Sequence, residues 1–244
     1  MGKRKSKRRE MGHGHSPHLE GEGLSLDPRD RPLYTLREAA RYLGIPPATL
    51  HTWVRGRSYA THHGEKWSTP PIVPPQGGSL LSFHNLVEAN VLAALREEHR
   101  ISMAKIRRMV EYAKEHLGVT RPLLLDLKTG LGDVFIKDPE GLLSLTRSGQ
   151  LALEEILERY LARVDRDVWG RPLRFHPPVA GQIRSDRIVL DPEVAFGAPT
   201  VKGVRTRIIA LRYDSGETPE FLAEDYGLSV EDVKKAVVFE GRAA

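Results

Sequence analysis

One short stretch of the chain carries hydrogen-bonding side chains at helical spacing, with no acidic residue among them. The forked guanidinium group of arginine matches the two acceptors on the major-groove edge of guanine, and hydroxyl and ring-nitrogen groups bond to several base edges. In a recognition helix, such side chains lie at the N-terminus and on the outward face. The pattern therefore predicts contacts with double-stranded DNA from Thr49, His51, Thr52 and Arg55, with Arg57 just beyond.

The flanking residues have the spacing of a helix-turn-helix. Two steeply crossing helices need a small residue where they approach, a glycine with positive φ at the turn, and apolar side chains facing inward. We expect the first helix from Arg37 to Leu43, with Thr35 as its N-cap, and the second from Pro47 to about Val54. Arg37 and Arg41 on the first helix would then suit the phosphate backbone.

The same spacing recurs near the C-terminus, where the charge is reversed. Leu36 to Arg55 and Pro219 to Val238 both have alanine at position 5, glycine at position 9, and an apolar residue at positions 10 and 15. The first window is mainly basic. The second contains Glu220, Glu224, Asp225, Glu231 and Asp232 against Lys234 and Lys235. Because DNA repels a net acidic face, we expect the first copy to read DNA and the second to pack on protein.

Composition excludes several classes of function. The 244 residues include no cysteine, so disulfides, thiolate metal sites and cysteine catalysis are excluded, and the net charge of +5 favours an anionic partner. No apolar run is long enough to span a membrane, and the basic N-terminus lacks the apolar segment of a secretory signal. We expect a cytoplasmic protein that is not an enzyme, because no catalytic motif is present, and that has no cofactor or bound metal.

The expected fold class is α+β and mainly α. Its parts are an N-terminal winged helix-turn-helix, a small mixed α/β middle segment, and a C-terminal β-hairpin followed by a helix-turn-helix-like domain. Residues 1–31 form a predicted disordered basic tail, which either contacts phosphates or only aids solubility. The predicted domains are residues 32–118, 119–178 and 183–240, with Pro177 and Pro178 near the last boundary.

Within these domains the pattern predicts further elements. Arg57 to Gln76 reads as a β-wing or irregular loop, and Leu123–Leu127 as the first strand of a meander. Gly149 to Val164 has the periodicity of an amphipathic helix. Lys202-Gly203 suits a tight turn between strands Thr200-Val201 and Val204-Arg205, with glycine supplying positive φ.

The N-terminal region resembles the DNA-binding head of MerR-like regulators. The similarity covers TLREAARYLGIPPATLHTWV, a wing-like stretch, and LSFHNLVEANVLAALREEHRISMAKIRRMVE. The wing is longer and richer in proline than the family pattern, and the cysteines of its metal-sensing members are absent. This resemblance implies a winged DNA-binding domain in a ligand-responsive regulator.

The C-terminal region resembles domain-of-unknown-function family 433, whose members are commonly assigned as VapB-type antitoxins. The matching features are Asp191-Pro192, Gly197 with Pro199, Val201-Lys202-Gly203, Arg205, Gly216, Glu220, Ala223, Asp225-Tyr226 and the run from Asp232 to Ala236. This resemblance implies that the chain neutralises a PIN-like ribonuclease toxin. It also implies an arginine that faces the toxin's active-site carboxylates.

Five residues of the C-terminal region are candidate partner contacts. Arg205 and Arg207 either form structural salt bridges with the acidic second copy or recognise a partner. The acidic stretch is either a solvated face or the surface that meets a basic patch on a toxin, here represented by Glu220, Glu224 and Asp225.

Two functions fit these observations. The first is an antitoxin of a type II toxin-antitoxin module that binds operator DNA, neutralises the ribonuclease and represses its own operon. The alternative is a MerR-like, ligand-responsive transcriptional regulator without a toxin partner. Both predict a homodimer on a palindromic operator.

Overall fold

The described part of the chain begins within the segment predicted to be a tail. The computed structural model describes residues 27–60, 66–75, 78–97, 101–125, 158–179 and 181–241. At its start a 3₁₀ helix spans Pro28–Asp30, and Asp30 lies 2.8 Å from the His84 ring nitrogen and accepts a hydrogen bond from Arg121 at 3.1 Å. The last residues of the predicted tail are therefore structured, and residues 1–26 lie outside the described part.

The N-terminal region consists of a helix pair, a β-hairpin and a second helix pair. No helix among the described residues has the length and apolar character needed to cross a bilayer. The elements in chain order are α1 (Leu36–Leu43), α2 (Pro47–Arg55), β1 (Arg57–Ala60), β2 (Lys66–Thr69), α3 (Phe83–Glu97) and α4 (Met103–Leu117).

Local signals explain the bounds of α1 and α2. The Thr35 hydroxyl accepts a hydrogen bond from the Glu38 backbone N–H, and the Glu38 carboxylate accepts one from the Thr35 N–H, so both ends of a capping box are present. Gly44 ends α1 in the left-handed region at φ 73°, and Pro47 occupies the first turn of α2. The predicted N-cap, turn and helix starts are confirmed to within one residue.

The stretch after α2 forms the β-hairpin of a wing, which is the first of its two predicted alternatives. β1 and β2 pair antiparallel, with Arg57 opposite Thr69. Gly56 turns the chain out of α2 at φ 75° and ψ −168°, where a Cβ atom would lie 2.1 Å from the Thr69 carbonyl oxygen. The Trp53 carbonyl accepts the N–H groups of residues 72 and 73, which ties the chain beyond the wing back to α2.

The middle segment departs from two predictions. The strand expected from Leu123 to Leu127 is replaced at its start by the 3₁₀ helix Pro122–Leu124, because proline at its first position already has helical φ. The expected helix from Gly149 to Val164 is helical in its described part at residues 158–161, but Val164 belongs to a strand and pairs with Phe175. Sheet pairing overrides helical periodicity there. The other two strands predicted for the meander, at residues 134–136 and 142–145, lie outside the described residues.

The C-terminal region is an antiparallel sheet followed by a helical layer. Its elements are β3 (Val164–Arg166), β4 (Pro172–Phe175), β5 (Ile188–Leu190), β6 (Pro199–Val201), β7 (Val204–Arg205), α5 (Thr206–Asp214), α6 (Pro219–Tyr226) and α7 (Val230–Phe239). The sheet has the order β3-β4-β5-β6-β7. Phe175 of β4 pairs with Leu190 of β5, so the sheet continues across Pro178.

The predicted hairpin at the end of this sheet is confirmed. Val201 pairs with Val204, and both turn residues have positive φ, 47° at Lys202 and 86° at Gly203. Two positive φ values are typical of a type I′ turn, whose twist matches that of the flanking strands.

Two hydrophobic cores meet at the end of α7. The larger core holds α1 to α4 together with Phe175 and Leu190, and the smaller one holds α5 to α7. Phe239 packs against both cores, and its ring stacks on Tyr42 of α1 at a centroid distance of 6.0 Å. The last helix of the chain therefore fixes the C-terminal helices against the N-terminal helix pair.

Candidate nucleic-acid interface

The outward face of α2 presents the side chains that the sequence selects for base contacts. Leu50 and Trp53, on the opposite side of the helix, are buried. His51 and Arg55 are exposed, whereas Thr49 and Thr52 are half-buried. Neither His51 nor Arg55 forms a hydrogen bond or ion pair with another described residue, so both are available to an external partner. The Thr52 hydroxyl donates to the Ala48 carbonyl at 3.1 Å.

The three cations that flank α2 differ in their surroundings. Arg37 and Arg57 are exposed and unpaired within the described part of the chain. Arg41 is also exposed, but its guanidinium group donates to the Glu240 carboxylate at 3.1 Å and to the Phe239 carbonyl at 3.2 Å. Both bonds come from one terminal nitrogen, and the Glu240 carboxylate offsets the charge of Arg41, so Arg41 is the weakest of the three as a phosphate contact. Arg37 and Arg57 have no such carboxylate partner among the described residues.

An open cavity of about 390 Å³ lies beside the recognition face. Thr49, Thr52 and Arg57 line it on one side, and Arg96 and Met103 line it on the other. Arg96 donates to the Ile101 carbonyl at 2.7 Å, which fixes the junction between α3 and α4. The sequence did not place Arg96 or Met103 at this face, since their approach to α2 depends on how the two helix pairs pack.

On α7 the position equivalent to Thr49 is buried and already has bonding partners. Asp232 has the place in the second copy that Thr49 has in the first, and its side chain is only 2% exposed. Its carboxylate binds Arg187 at 2.6 Å and Lys202 at 3.0 Å. Burial alone would raise the pKa of Asp232, but hydrogen bonds from Ser229, Arg187 and Lys202 outweigh it and hold the pKa well below its usual range. The N-terminal end of α7 is therefore bound to residues of the C-terminal unit itself.

The candidate partner residues separate into bound and free groups. Asp225 pairs with Arg212. Arg205 donates to the Ala195 carbonyl at 2.8 Å rather than to an acidic side chain. The other three, which are exposed and have no hydrogen bond or ion pair with a described residue, are Arg207, Glu220 and Glu224.

A left-handed turn beside Arg205 presents an exposed aromatic ring. Ala195, Phe196 and Gly197 have φ values of 50°, 57° and 73°. Left-handed backbone at residues other than glycine is strained and clusters at functional sites. Arg205 holds the Ala195 carbonyl, and the Tyr34 hydroxyl donates to the Gly197 carbonyl at 3.0 Å, yet Phe196 remains 78% exposed.

The sequence carried a partial signal for this turn. Gly197 was among the family features, and a Cβ there would lie 2.7 Å from the Tyr34 hydroxyl oxygen. Tyr34 is buried against Gly197, and burial raises the pKa of its hydroxyl. The close approach needs glycine, but nothing local to Phe196 indicated its exposure.

Comparison with known proteins gives matches along most of the chain. Residues 32–110 match the family model described as "Putative DNA-binding HTH domain", and residues 188–239 match "Protein of unknown function (DUF433)". Over 227 residues the chain is 30% identical to "Putative antitoxin VapB45" of Mycobacterium tuberculosis, covering 85% of this chain and 93% of that protein. It is 28% identical over 225 residues to "Uncharacterized protein Rv2308" of the same organism, covering 85% and 90%.

A solved structure supports the same architecture. The X-ray crystal structure of Rv2018 from Mycobacterium tuberculosis superposes with a TM-score of 0.61 at 26% identity, covering 85% of this chain and 98% of that chain. An N-terminal helix-turn-helix domain followed by a family 433 domain is thus confirmed for this chain.

Proposed function

Because this chain belongs to the family that includes "Putative antitoxin VapB45", we propose that it is the antitoxin of a type II toxin-antitoxin module. In this proposal it acts as a homodimer, binds operator DNA in the cytoplasm, represses its own operon and neutralises a PIN-like ribonuclease. It has no catalytic activity of its own. The observation that carries the DNA-binding part is the free, basic face of α2, in contrast to the closed face of α7.

The N-terminal unit reads the operator. Its order of helix pair, wing and helix pair supports a MerR-like mode of binding. Arg55 contacts guanine, and Thr49, His51 and Thr52 bond to neighbouring base edges. Arg37 and Arg57 bind phosphates on either side of the groove.

The C-terminal unit binds the toxin at the left-handed turn. Phe196 is a large apolar side chain held in place before binding, which reduces the entropy lost when a partner docks. The guanidinium group of Arg205 lies 5.9 Å from the centroid of the Phe196 ring. Aromatic and arginine side chains dominate the energies of protein interfaces. An arginine beside an apolar anchor also suits an active site rich in carboxylates.

Co-expression with the neighbouring gene tests both parts. The neighbour should arrest growth when expressed alone, be harmless together with this protein, and co-purify with it. Arg55→Ala should weaken operator binding in a gel-shift assay but still neutralise the toxin. Phe196→Asp should retain operator binding and lose neutralisation.

Two outcomes would contradict the proposal. A neighbour that neither arrests growth nor co-purifies would remove the antitoxin role and leave a MerR-like, ligand-responsive regulator. An operator affinity that is unchanged by Arg55→Ala and Arg57→Ala together would place DNA binding elsewhere on the chain.

A further inference from the structure

An exposed surface on α5 and α6 combines apolar side chains with opposite charges at its two ends. We name it the α5–α6 surface. Ile208 and Leu211 of α5 are 44% and 50% exposed, and Phe221 of α6 is 54% exposed. The charged residues of the surface are Arg207 on α5, and Glu220 and Glu224 on α6.

Helical spacing and one ring contact place these residues on neighbouring outward faces of the two helices. Ile208 and Leu211 are three residues apart on α5 and therefore lie on the same side of it. Leu211 and Arg207 also line an open cavity together with Glu38 and Arg41 of α1. Arg212, which follows Leu211, has its guanidinium group 5.9 Å from the centroid of the Phe221 ring, so Phe221 lies beside the C-terminal half of α5. Glu220 and Glu224, four residues apart on α6, share a face next to Phe221.

The charges are separated along this patch. Arg207 is the second residue of α5, about 8 Å along the helix axis from Arg212. Arg207, Glu220 and Glu224 have no ion-pair partner among the described residues, whereas the nearby Glu217 and Asp225 are both paired with Arg212. The patch thus has a free cation at one end, apolar side chains in the middle, and two free carboxylates at the other end.

We propose that the α5–α6 surface binds the same surface of a second copy of this chain. A two-fold axis through the apolar centre places Arg207 of each copy against Glu220 and Glu224 of the other. Each copy contributes the same patch, which is the defining property of a two-fold interface. The centre is apolar and the rim charged, as in protein interfaces generally.

A second copy fits this surface better than a toxin does. A basic toxin surface would satisfy Glu220 and Glu224 but would face Arg207 with a like charge, and an acidic surface would have the converse problem. A second copy satisfies both ends at once. The inference rests on the proposed function in one respect, since it specifies the surface that forms the proposed homodimer. The dimer itself can be measured in the absence of DNA and toxin.

Sedimentation equilibrium of the full chain tests the interface. The wild type should be a dimer at micromolar concentration. Arg207→Glu alone, or Glu220→Lys with Glu224→Lys, should raise the dimer dissociation constant at least about tenfold, because each creates like-charge contacts across the axis. All three changes together should restore the dimer. Glu231→Lys, an exposed charge reversal on α7 outside the surface, should leave it unchanged.

Leu211→Asp provides an independent test of the apolar centre. It should give a monomer whose circular dichroism and melting temperature match those of the wild type, since Leu211 is half exposed in the single chain. A wild type that is monomeric throughout, or a triple reversal that stays monomeric while folded, would overturn the proposal. Reversals that leave the dimer intact and abolish toxin binding would assign the surface to the toxin instead. If the dimer behaves as expected but the neighbouring gene is harmless, only the antitoxin function fails.

Discussion

The two helix-turn-helix copies share a turn and differ in how the chain leaves their second helix. In the first copy, Gly56 turns the chain out of α2 into the wing. At the same position of the second copy, α7 continues to Phe239, which packs against Tyr42 of the first copy. The first copy thus keeps its second helix open to solvent beside a wing. In the second copy, the same helix becomes the connection between the two units.

The second helices of the two copies also differ in exposure and charge, and again it is α2 that is more accessible. Thr49 of α2 is half-buried, whereas its counterpart on α7, Asp232, is buried and paired with two cations. Two arginines of the first copy have no basic counterpart in the second: Glu220 stands at the position of Arg37, and Val238 at the position of Arg55. A helix-turn-helix backbone therefore does not specify DNA binding. The residues outside its core decide whether the second helix is available to a ligand.

The largest expected loss of stability concerns the glycine that ends α2, compared with the glycine in the turn of the second copy. Gly56→Ala should lower the free energy of unfolding by about 3 kcal/mol or more, because it combines strained backbone with a Cβ too close to the Thr69 carbonyl. Gly227→Ala in the second copy has left-handed backbone but no atom within 4 Å of the added Cβ, so it should lower this free energy by only about 1 kcal/mol. Urea denaturation of both variants checks the difference, and equal losses would contradict it.

The next effect concerns the buried carboxylate of the second copy. Asp232→Asn should lower the free energy of unfolding at pH 7 by about 2–3 kcal/mol, because its hydrogen bonds with Arg187 and Lys202 lose their charge. Thr49→Ala, at the equivalent position of α2, should change this free energy by no more than about 0.5 kcal/mol.

The same carboxylate predicts a pH dependence. The pKa of Asp232 is lowered in the folded state, so its ionised form stabilises the fold above the unfolded value of about 3.9. This contribution is lost as pH falls below about 4 towards the folded pKa. The stability of the wild type should therefore decrease more steeply than that of Asp232→Asn over this range. Parallel curves from thermal melts at stepped pH would contradict this assignment.

DNA affinity sharpens the contrast between the two faces. Arg55→Ala should weaken operator binding by about 1–3 kcal/mol and relax preference at one base pair. Lys234→Ala removes an exposed cation at the α7 position equivalent to His51, and it should leave affinity unchanged. Fluorescence anisotropy with operator duplexes measures both. A greater loss from Lys234→Ala would reverse the roles of the copies.

The smallest effect distinguishes two arginines on α1. Arg37→Ala should reduce the slope of log affinity against log salt by about 1, as expected for one lost phosphate contact. Arg41→Ala should leave that slope unchanged, because Arg41 is bound to Glu240, and should lower stability by no more than about 1 kcal/mol. A salt titration of both variants decides the point, and equal slopes would show that Arg41 contributes to DNA binding as much as Arg37 does.

Local chemistry made much of the fold predictable. Thr35 with Glu38, Gly44 and Pro47 act over a few residues, and the sequence placed the first helix pair to within one residue of the structure. Lys202-Gly203 located its hairpin for the same reason. The prediction failed where tertiary pairing competes with local pattern, as at Val164, whose partner Phe175 is supplied by the next strand.

The sequence predicted which side chains lie on the outward face of α2, but not the bonds that surround this face. The spacing of Thr49, His51 and Arg55 identified the outward face of α2, because helical periodicity determines which side chains share a face. The bonds of Arg41 could not be predicted in this way. Its partner Glu240 is 199 positions away, so the contact depends on the packing of α1 against α7.

By itself, the sequence determined two helix-turn-helix units, their opposite charges, the wing after the first and the hairpin before the second. Each follows from side chains that interact within a turn or a strand pair. Only the tertiary structure decided that α7 joins the two cores through Phe239, that Asp232 is buried, and that the turn at Phe196 is left-handed and exposed. These features come from contacts between distant segments, and their energies depend on the completed packing.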